Sequence, residues 1–459
     1  YSVDTTVTLT STAAILDGKT INGAGNVTVT DAHSTLSADL SGMTGTGTNQ
    51  VLFGGDAASP PFAGKLPAEA TTIDSDGATA RAVRLSNVNA LTTAKAYSVD
   101  TTVTLTSTAA ILDGKTINGA GTVAITSGEG DVAAVLSGIV TSLSTYAATD
   151  ATSITGALPA GTGTHTISNT ITLGADSLLT NGATYTIASG KVLTGTAARL
   201  DTMTINGDGG VTVTDTDSTV AANLSGIAST GTNTVQFDAA MSSGSGFTGK
   251  LPAKASSITT TAGAITVNFE NTDNTLMTTG ELYALGANFN MTTESGQISG
   301  KSITGTATTT LALVDLDANT NLNLININAS GTFTVAVAAT VTLGGSADII
   351  PTTGKKPTLN IASGLTLTGT AAQLTGLTIQ DDAIGNVVIT ALGTAAVDFS
   401  NINLDNQIEE GNFTELLKWL KINVHSKASF YSTNDILEQV TNSKLNAKYF
   451  EDYIKNRYL

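Results

Sequence analysis

The sequence predicts an all-β chain wound as a parallel β-solenoid, and three observations carry that prediction. A long phrase recurs five times, a short phrase recurs inside each long copy, and each short phrase alternates apolar and polar residues. The long copies begin at Tyr1, Tyr97, Tyr185, Tyr283 and Leu359, spaced by 96, 88, 98 and 76 residues. Residues 1–25, YSVDTTVTLTSTAAILDGKTINGAG, return unchanged at 97–121. The third copy keeps Leu200-Asp201 and Thr204-Ile205-Asn206-Gly207, the fourth keeps Gly300-Lys301 and Ile303, and the fifth reads IASGLTLTGTAAQLTGLTI over 361–379. Repeats of about 90 residues fit tandem Ig-like β-sandwiches or a solenoid whose long repeat holds several rungs.

The short period separates these two. The phrase V-x-L/V-T/S opens at Val7, Val27, Val83 and Val103, with Val7 to Val27 and Val83 to Val103 each 20 residues apart and Val51 a further 24 after Val27. It returns at Ile171, Val192, Val211, Val341, Leu365 and Val387. Alternation at period two turns one face of each phrase inward. A corner of small residues follows, as in Thr12-Ala13-Ala14-Ile15-Leu16, Thr196-Ala197-Ala198-Arg199-Leu200 and Thr370-Ala371-Ala372-Gln373-Leu374. Then come a turn and a second short strand such as Lys19-Thr20-Ile21. A sandwich has no reason to repeat strand, corner and strand every 20–24 residues. A solenoid rung does. Tandem sandwiches remain the alternative.

Proline-bearing stretches at 58–70 and 247–255 interrupt the period. They are expected to be loops or rung insertions bulging from one side. Four copies open on Tyr, at 1, 97, 185 and 283. One reading is a surface aromatic row; the favoured one is a large side chain filling the same core corner in each repeat. The solenoid region is expected over 1–405.

The composition changes near Asn406. Residues 406–459 hold eight of the 21 aromatics, the single Trp419, seven Lys/Arg and seven Asp/Glu, so the net charge of −17 resides on the repeats. Phe413, Leu416, Leu417 and Leu420 follow helical spacing. Ser432 precedes Asp435 by three, a capping-box spacing for a helix through Ile436, Leu437 and Val440. Leu445, Tyr449, Phe450, Tyr453 and Ile454 mark a third helix. A small helical C-terminal domain over 406–459 is expected. It would cap the open solenoid end, which otherwise presents bare β-edges, or serve as an export or docking module.

Composition narrows the function. Charged residues make up 12% and aromatics 5% of 459 residues, with 47 Gly and no Cys. Disulfides and thiolate chemistry are excluded. The acidic balance lacks the basic footprint that nucleic-acid binding needs. No apolar run reaches the 18 residues of a membrane helix. The sequence starts on Tyr1, inside a repeat, and residues 1–25 do not read as a signal peptide. That start is expected of a processed chain or a piece of something longer.

Catalytic patterns are sparse. His33, His165 and His425 are isolated, with no His-x-His or His-Glu-x-x-His pair. No Gly-x-Ser-x-Gly elbow stands out, and the acids form no evident column, so no enzyme activity is expected. Calcium is the better candidate, because Ca²⁺ collects oxygen ligands from Asp, Asn and carbonyls. Asp315-Leu316-Asp317-Ala318-Asn319 has alternating oxygen donors, and Asp215-Thr216-Asp217 and Asp74-Ser75-Asp76 are shorter versions. Asp and Asn also favour turns on their own account.

The layout of an acidic, cysteine-free, Thr/Gly/Ala-rich repeat region followed by a helical tail resembles bacterial surface-layer and type I secreted repeat proteins. The Gly-Gly-x-Gly-x-Asp nonapeptides of the secreted group are absent. The resemblance implies an extracellular, cell-surface location. The expected function is structural: a subunit of a surface layer or filament. It would assemble with itself laterally and end to end, with calcium assistance and an anchor to a cell-surface glycan. A secreted adhesin stalk is the first alternative, and a polysaccharide-active β-helix enzyme the second.

Overall fold

The computed structural model describes residues 1–126, 133–147, 153–154, 156–174, 179–261, 263–270, 275–316, 321–381 and 385–390, with isolated positions between 417 and 455. Two units are present. The first comprises Tyr1–Val314, Leu322–Phe333 and Pro351–Lys355; the second comprises Asp315–Asn321, Thr334–Ile350 and Lys356–Leu459.

The first unit is a parallel β-solenoid. Thr10 faces Thr28, Val29 faces Val51, Val51 faces Ile73 and Ile73 faces Val99, steps of 18, 22, 22 and 26 residues. These steps bracket the predicted rung. Sequential strands paired in parallel exclude the sandwich alternative, whose sheets are antiparallel. Period-two alternation does what it predicts: Asn49–Phe53, Thr71–Ser75 and Val103–Thr108 bury every second residue. Val27, Val29, Val51, Phe53, Ile73, Val83 and Leu105 form the core between the walls.

The small-residue corners are single helical turns at Ala13–Leu16, Ala109–Leu112, Ala197–Leu200 and Ser295–Ile298. Alanine suits the inward position because Ala13, Ala109 and Ala197 are fully buried where the chain folds back. The residue after three of these turns is Asp, and its carboxylate reaches the next rung. Asp17 accepts from the Asp39 N–H at 2.7 Å, Asp113 from Val135 at 2.8 Å and Asp201 from Asn223 at 2.7 Å. In the fourth copy the Ser299 hydroxyl accepts from Asn323 at 3.0 Å. Gly23, Gly119 and Gly207 follow with φ of 101°, 102° and 98°. A Cβ at any of them would strike the carbonyl of Val3, Val99 or Ile187 on the neighbouring strand, so rung spacing here demands glycine.

The proline stretches meet the expectation in part. The first carries an insertion: Ala57 faces Val83 and Phe62 faces Leu85, so residues 58–61 stand opposite Arg84 alone, with Ser59 and Pro60 exposed. Beyond it the stretches join the walls. Ala57–Phe62 is a strand paired with Arg81–Leu85, and Lys65 and Lys250 bridge in parallel to Asp39 and Asn223. Leu66, Phe62, Phe247 and Leu251 are buried. The apolar residues beside each proline need the core, and proline is tolerated where its missing N–H interrupts no ladder. Phe53 packs edge-on to Phe62 with ring centroids 5.5 Å apart. Phe237, Phe247, Phe269 and Phe289 form a larger cluster at 5.6–6.3 Å.

In the second unit Thr366–Gly369 lies parallel between Val341–Thr342 and Asn386–Ile389. Thr358–Ile361 pairs with Thr378–Asp381 in the same sense. The turn Ala371–Leu374 is closed by a capping box between Thr370 and Gln373, and Gln373 Nε2 donates to the Gly344 carbonyl at 2.7 Å. The predicted helical domain at 406–459 lies outside the described residues, apart from isolated positions. Among these, the Asp435 N–H donates to Ser432 Oγ at 3.2 Å and that hydroxyl donates to the Asp435 carboxylate at 2.6 Å. This is the cap bond that the Ser-x-x-Asp spacing predicts.

Candidate metal centre

Two of the acids singled out in the sequence, Asp215 and Asp217, lie where the strand Gly210–Thr214 ends. Asp215 takes a left-handed conformation with φ 54°, which Asp tolerates better than most residues. The chain then makes one tight turn over Thr216–Ser218. Asp238 follows the parallel neighbour Asn233–Phe237. The solenoid thus brings a third acid to the pair from the next rung. One carboxylate oxygen from each of Asp215, Asp217 and Asp238 lies within 4.8 Å of the others. Asp217 Oδ1 accepts the Asp238 N–H at 2.8 Å, and the Thr261 hydroxyl of the following rung donates to Asp238 Oδ1. Among the described residues, no cationic side chain pairs with these three acids.

The donor set fits a hard cation. It is all oxygen, carries up to three negative charges, and is half-exposed, with room for waters. The soft ligands that would favour zinc or copper are missing. The fit is to Ca²⁺ or Mg²⁺, and the open, three-carboxylate corner suits the more flexible shell of Ca²⁺.

The first copy offers a comparison at the same corner. Asp31 also has φ 54°, but His33 stands where Asp217 does and Gly54 where Asp238 does. Asp76, on the next rung, is neutralised by Arg81 at 3.3 Å. Relative to the first copy, the third supplies a third acid and, among the described residues, carries no ion pair on any of the three.

The other predicted acids divide. Asp317 and Asn319 lie outside the described residues, and Asp315 is described without them. Asp74 accepts from Gln50 Nε2 at 2.7 Å, so with Asp76 held by Arg81 the pair at 74 and 76 serves the fold. Asp238 was missed because its neighbours in space are 21 and 23 residues earlier in sequence. The spacing of one rung was the available signal.

The tyrosines also take their places. Tyr97, Tyr185 and Tyr283 are fully buried. Each hydroxyl donates to a proline carbonyl of the preceding rung: Pro67 at 2.9 Å, Pro159 at 3.0 Å and Pro252 at 2.8 Å. Each also accepts from the N–H five residues earlier, Thr92, Thr180 or Thr278. These three are core residues and form no surface row, whereas Tyr1 is 83% exposed. His165 is buried too, with Nδ1 2.8 Å from Ser144 Oγ and its ring tilted against Tyr185. Burial holds its pKa below the ordinary value, with the Gly161 backbone opposing.

Residues 381–458 match the carboxypeptidase Taq (M32) metallopeptidase family. The matched segment contains one histidine, His425, and no His-Glu-x-x-His pair to hold a catalytic zinc. No curated protein and no solved structure matches the chain. Among the described residues no helix is long and apolar enough to cross a membrane.

Proposed function

We propose that this chain is a structural, non-catalytic subunit of an extracellular surface layer or filament. It assembles with copies of itself through solenoid contacts, and calcium assists. The observation that supports this reading most is the use of the sequence for rung-to-rung devices. The corner aspartates, the buried tyrosines and the stacked threonines recur from copy to copy, and each serves the scaffold. Outward threonines align over successive rungs, as in Thr172, Thr194, Thr212 and Thr234, followed by Ser257. Such a hydroxyl face carries little charge, so a second copy can pack against it without desolvating ions. The acidic corner at Asp215, Asp217 and Asp238 is a point where Ca²⁺ would join rungs of one copy or bridge two.

The segment that matches the metallopeptidase family lacks the paired histidines of its chemistry, which favours the structural reading over a zinc enzyme. The test is negative-stain imaging of purified protein with calcium and with EDTA. Sheets or filaments that disperse in EDTA are expected. Single rods under both conditions would overturn the layer reading in favour of an adhesin stalk.

A further inference from the structure

Each buried tyrosine stands at the end of a polar stack inside the solenoid, and the three stacks can be laid side by side. In the first copy Asn49 and Thr71 lead, rung by rung, to Tyr97. In the third, Asn233 and Ser256 lead to Tyr283. In the second, Ser144 and His165 lead to Tyr185. All of these side chains are buried. The first and third stacks are satisfied by backbone. Asn49 Nδ2 donates to the Gly45 carbonyl at 3.2 Å and Asn233 Nδ2 to the Ser229 carbonyl at 2.9 Å. Thr71 Oγ1 donates to the Glu69 carbonyl at 2.8 Å and Ser256 Oγ to the Lys254 carbonyl at 2.9 Å. Neither of these two stacks holds a group that titrates near neutral pH.

The middle stack keeps the geometry and changes the chemistry. His165 takes the place of Thr71 and Ser256. Its Nδ1 lies 2.8 Å from Ser144 Oγ, and its Nε2 is buried without a hydrogen bond. The ring tilts against Tyr185, with centroids 5.5 Å apart. On the flanking strands Leu143–Ala147 and Thr184–Ile187 the titratable groups are Tyr146 and Tyr185, phenols that are neutral in this range. Between 133 and 190 the described residues include no Asp, Glu, Lys or Arg. A proton on His165 therefore meets no described carboxylate. An imidazolium has two N–H groups to satisfy, and an unpaired buried charge is costly. The Gly161 backbone favours the charged ring, but burial outweighs it and holds the pKa below the ordinary value. As the pH falls through about 6.5, a rung open to water takes the proton before a closed one does.

We propose that the stack Ser144–His165–Tyr185 is an acid-released seam. In mild acid the strand Thr164–Ile167 lets go locally of Leu143–Ala147 and Thr184–Ile187, while the stacks at Asn49 and Asn233 stay closed. Local release is open to this fold because each rung bonds only to its neighbours. A scaffold whose other tyrosine stacks are indifferent to pH thus carries one rung through which acidity loosens it.

The test is hydrogen exchange of the full chain at about pH 7 and about pH 5.5, read by mass spectrometry as protection factors, which remove the intrinsic pH dependence of amide exchange. Peptides covering Leu143–Ala147, Thr164–Ile167 and Thr184–Ile187 are expected to lose protection in acid. The loss should reach up to about eightfold, the limit for a group of pKa about 6.5 when open and far lower when closed. Peptides covering Asn49–Phe53, Thr71–Ser75, Asn233–Phe237 and Ser256–Thr260 should keep their protection. His165→Thr, which installs the residue of the first stack, should abolish the local loss. His165→Phe should do the same while keeping a ring against Tyr185, so the attribution stands if threonine leaves too large a void. His33→Gln should leave the loss in place. Protection that falls evenly over all three stacks, or at none, would overturn the proposal. So would a local loss that survives both replacements of His165, or one that His33→Gln removes equally.

Discussion

At Tyr97, Tyr185 and Tyr283 one hydroxyl ties together two stretches of backbone, a proline carbonyl and a threonine N–H. Replacing Tyr185 by Phe keeps the ring and removes the oxygen. The Pro159 carbonyl and the Thr180 N–H then lose a buried partner, which costs about 1–3 kcal/mol of stability. Chemical denaturation of Tyr185→Phe measures it, and a change below about 0.5 kcal/mol would show that water replaces the hydroxyl. His165 makes a pH prediction with a definite sign. Its folded-state pKa lies below the ordinary value because burial disfavours the imidazolium. As the pH falls below about 6.5, the unfolded chain takes the proton first, so stability present at neutral pH declines. His165→Phe should flatten the fall in Tm between about pH 7 and 5.5. An unchanged profile would place the pH sensitivity elsewhere. The recurrence of Tyr was legible in the sequence; its partner was not. The carbonyl of Pro159 lies 26 residues upstream and becomes a neighbour only once the rung length is known. His165 looked isolated for the same reason, since Ser144 is one rung away.

Between rungs, two of the copies keep a charge pair while exchanging its members. Glu69 follows Leu66-Pro67-Ala68 and pairs with Lys95 at 2.6 Å. At the matching positions Lys254 follows Leu251-Pro252-Ala253 and pairs with Glu281 at 2.8 Å. In the copy between them the same positions are Gly161 and Ala183, and neither is charged. Complementarity is retained and polarity is free, as expected when the attraction matters more than either residue. Glu69→Lys alone should destabilise by about 0.5–1 kcal/mol, and adding Lys95→Glu should restore most of it. The restored fraction should shrink in high salt, because the groups are partly exposed. No recovery in the double variant would assign Glu69 a role apart from Lys95. The strands and the alanine corners could be read ahead of the structure because period-two alternation and small residues report directly on burial. The proline stretches could be read only in part: the insertion at 58–61 was legible, the return to the wall beside it was not. Proline marks a broken ladder, and nothing local distinguishes a loop that leaves the wall from a wall segment bonded by isolated bridges. The core placement of Phe62 and Phe247 decided the matter.

Across the chain, the five copies of the phrase strand fall in five different sheets: Thr8–Thr12, Val103–Thr108, Val192–Thr196, Phe289–Thr293 and Thr366–Gly369. The cause is a mismatch between block and turn. Four pairing steps carry Thr10 through Thr28, Gln50 and Thr72 to Ser98, eight residues short of Thr106, its counterpart in the second copy. Each duplicated block therefore places the phrase on another wall. The solenoid and its rung length were legible because they repeat, whereas this offset depends on corner lengths that vary by a few residues per turn. The same stacking assembled the acidic corner, where the sequence supplied Asp215 and Asp217 and the neighbouring rung supplied Asp238. If that corner holds Ca²⁺, saturating calcium should raise stability by roughly 3 kcal/mol at a hundredfold excess over Kd. Asp238→Asn should abolish the rise in calorimetric titration, while Asp31→Asn, at the corner of the first copy, leaves it. An equal loss in both variants would mean diffuse screening in place of a site. The block structure makes a further demand. Each rung of a solenoid contacts only its neighbours, so stability is close to a sum of local terms. Removing residues 1–96 leaves a chain that starts on the identical 25-residue phrase, with Val103 taking the exposed position that Val7 held. The shortened chain should retain the same β-signal per residue in far-ultraviolet circular dichroism and unfold at a similar temperature, with its unfolding enthalpy reduced in proportion to its length. A collapse of structure on this deletion would show that the first block nucleates the rest. That outcome would contradict a ladder built from rungs that each complete their own core against the next.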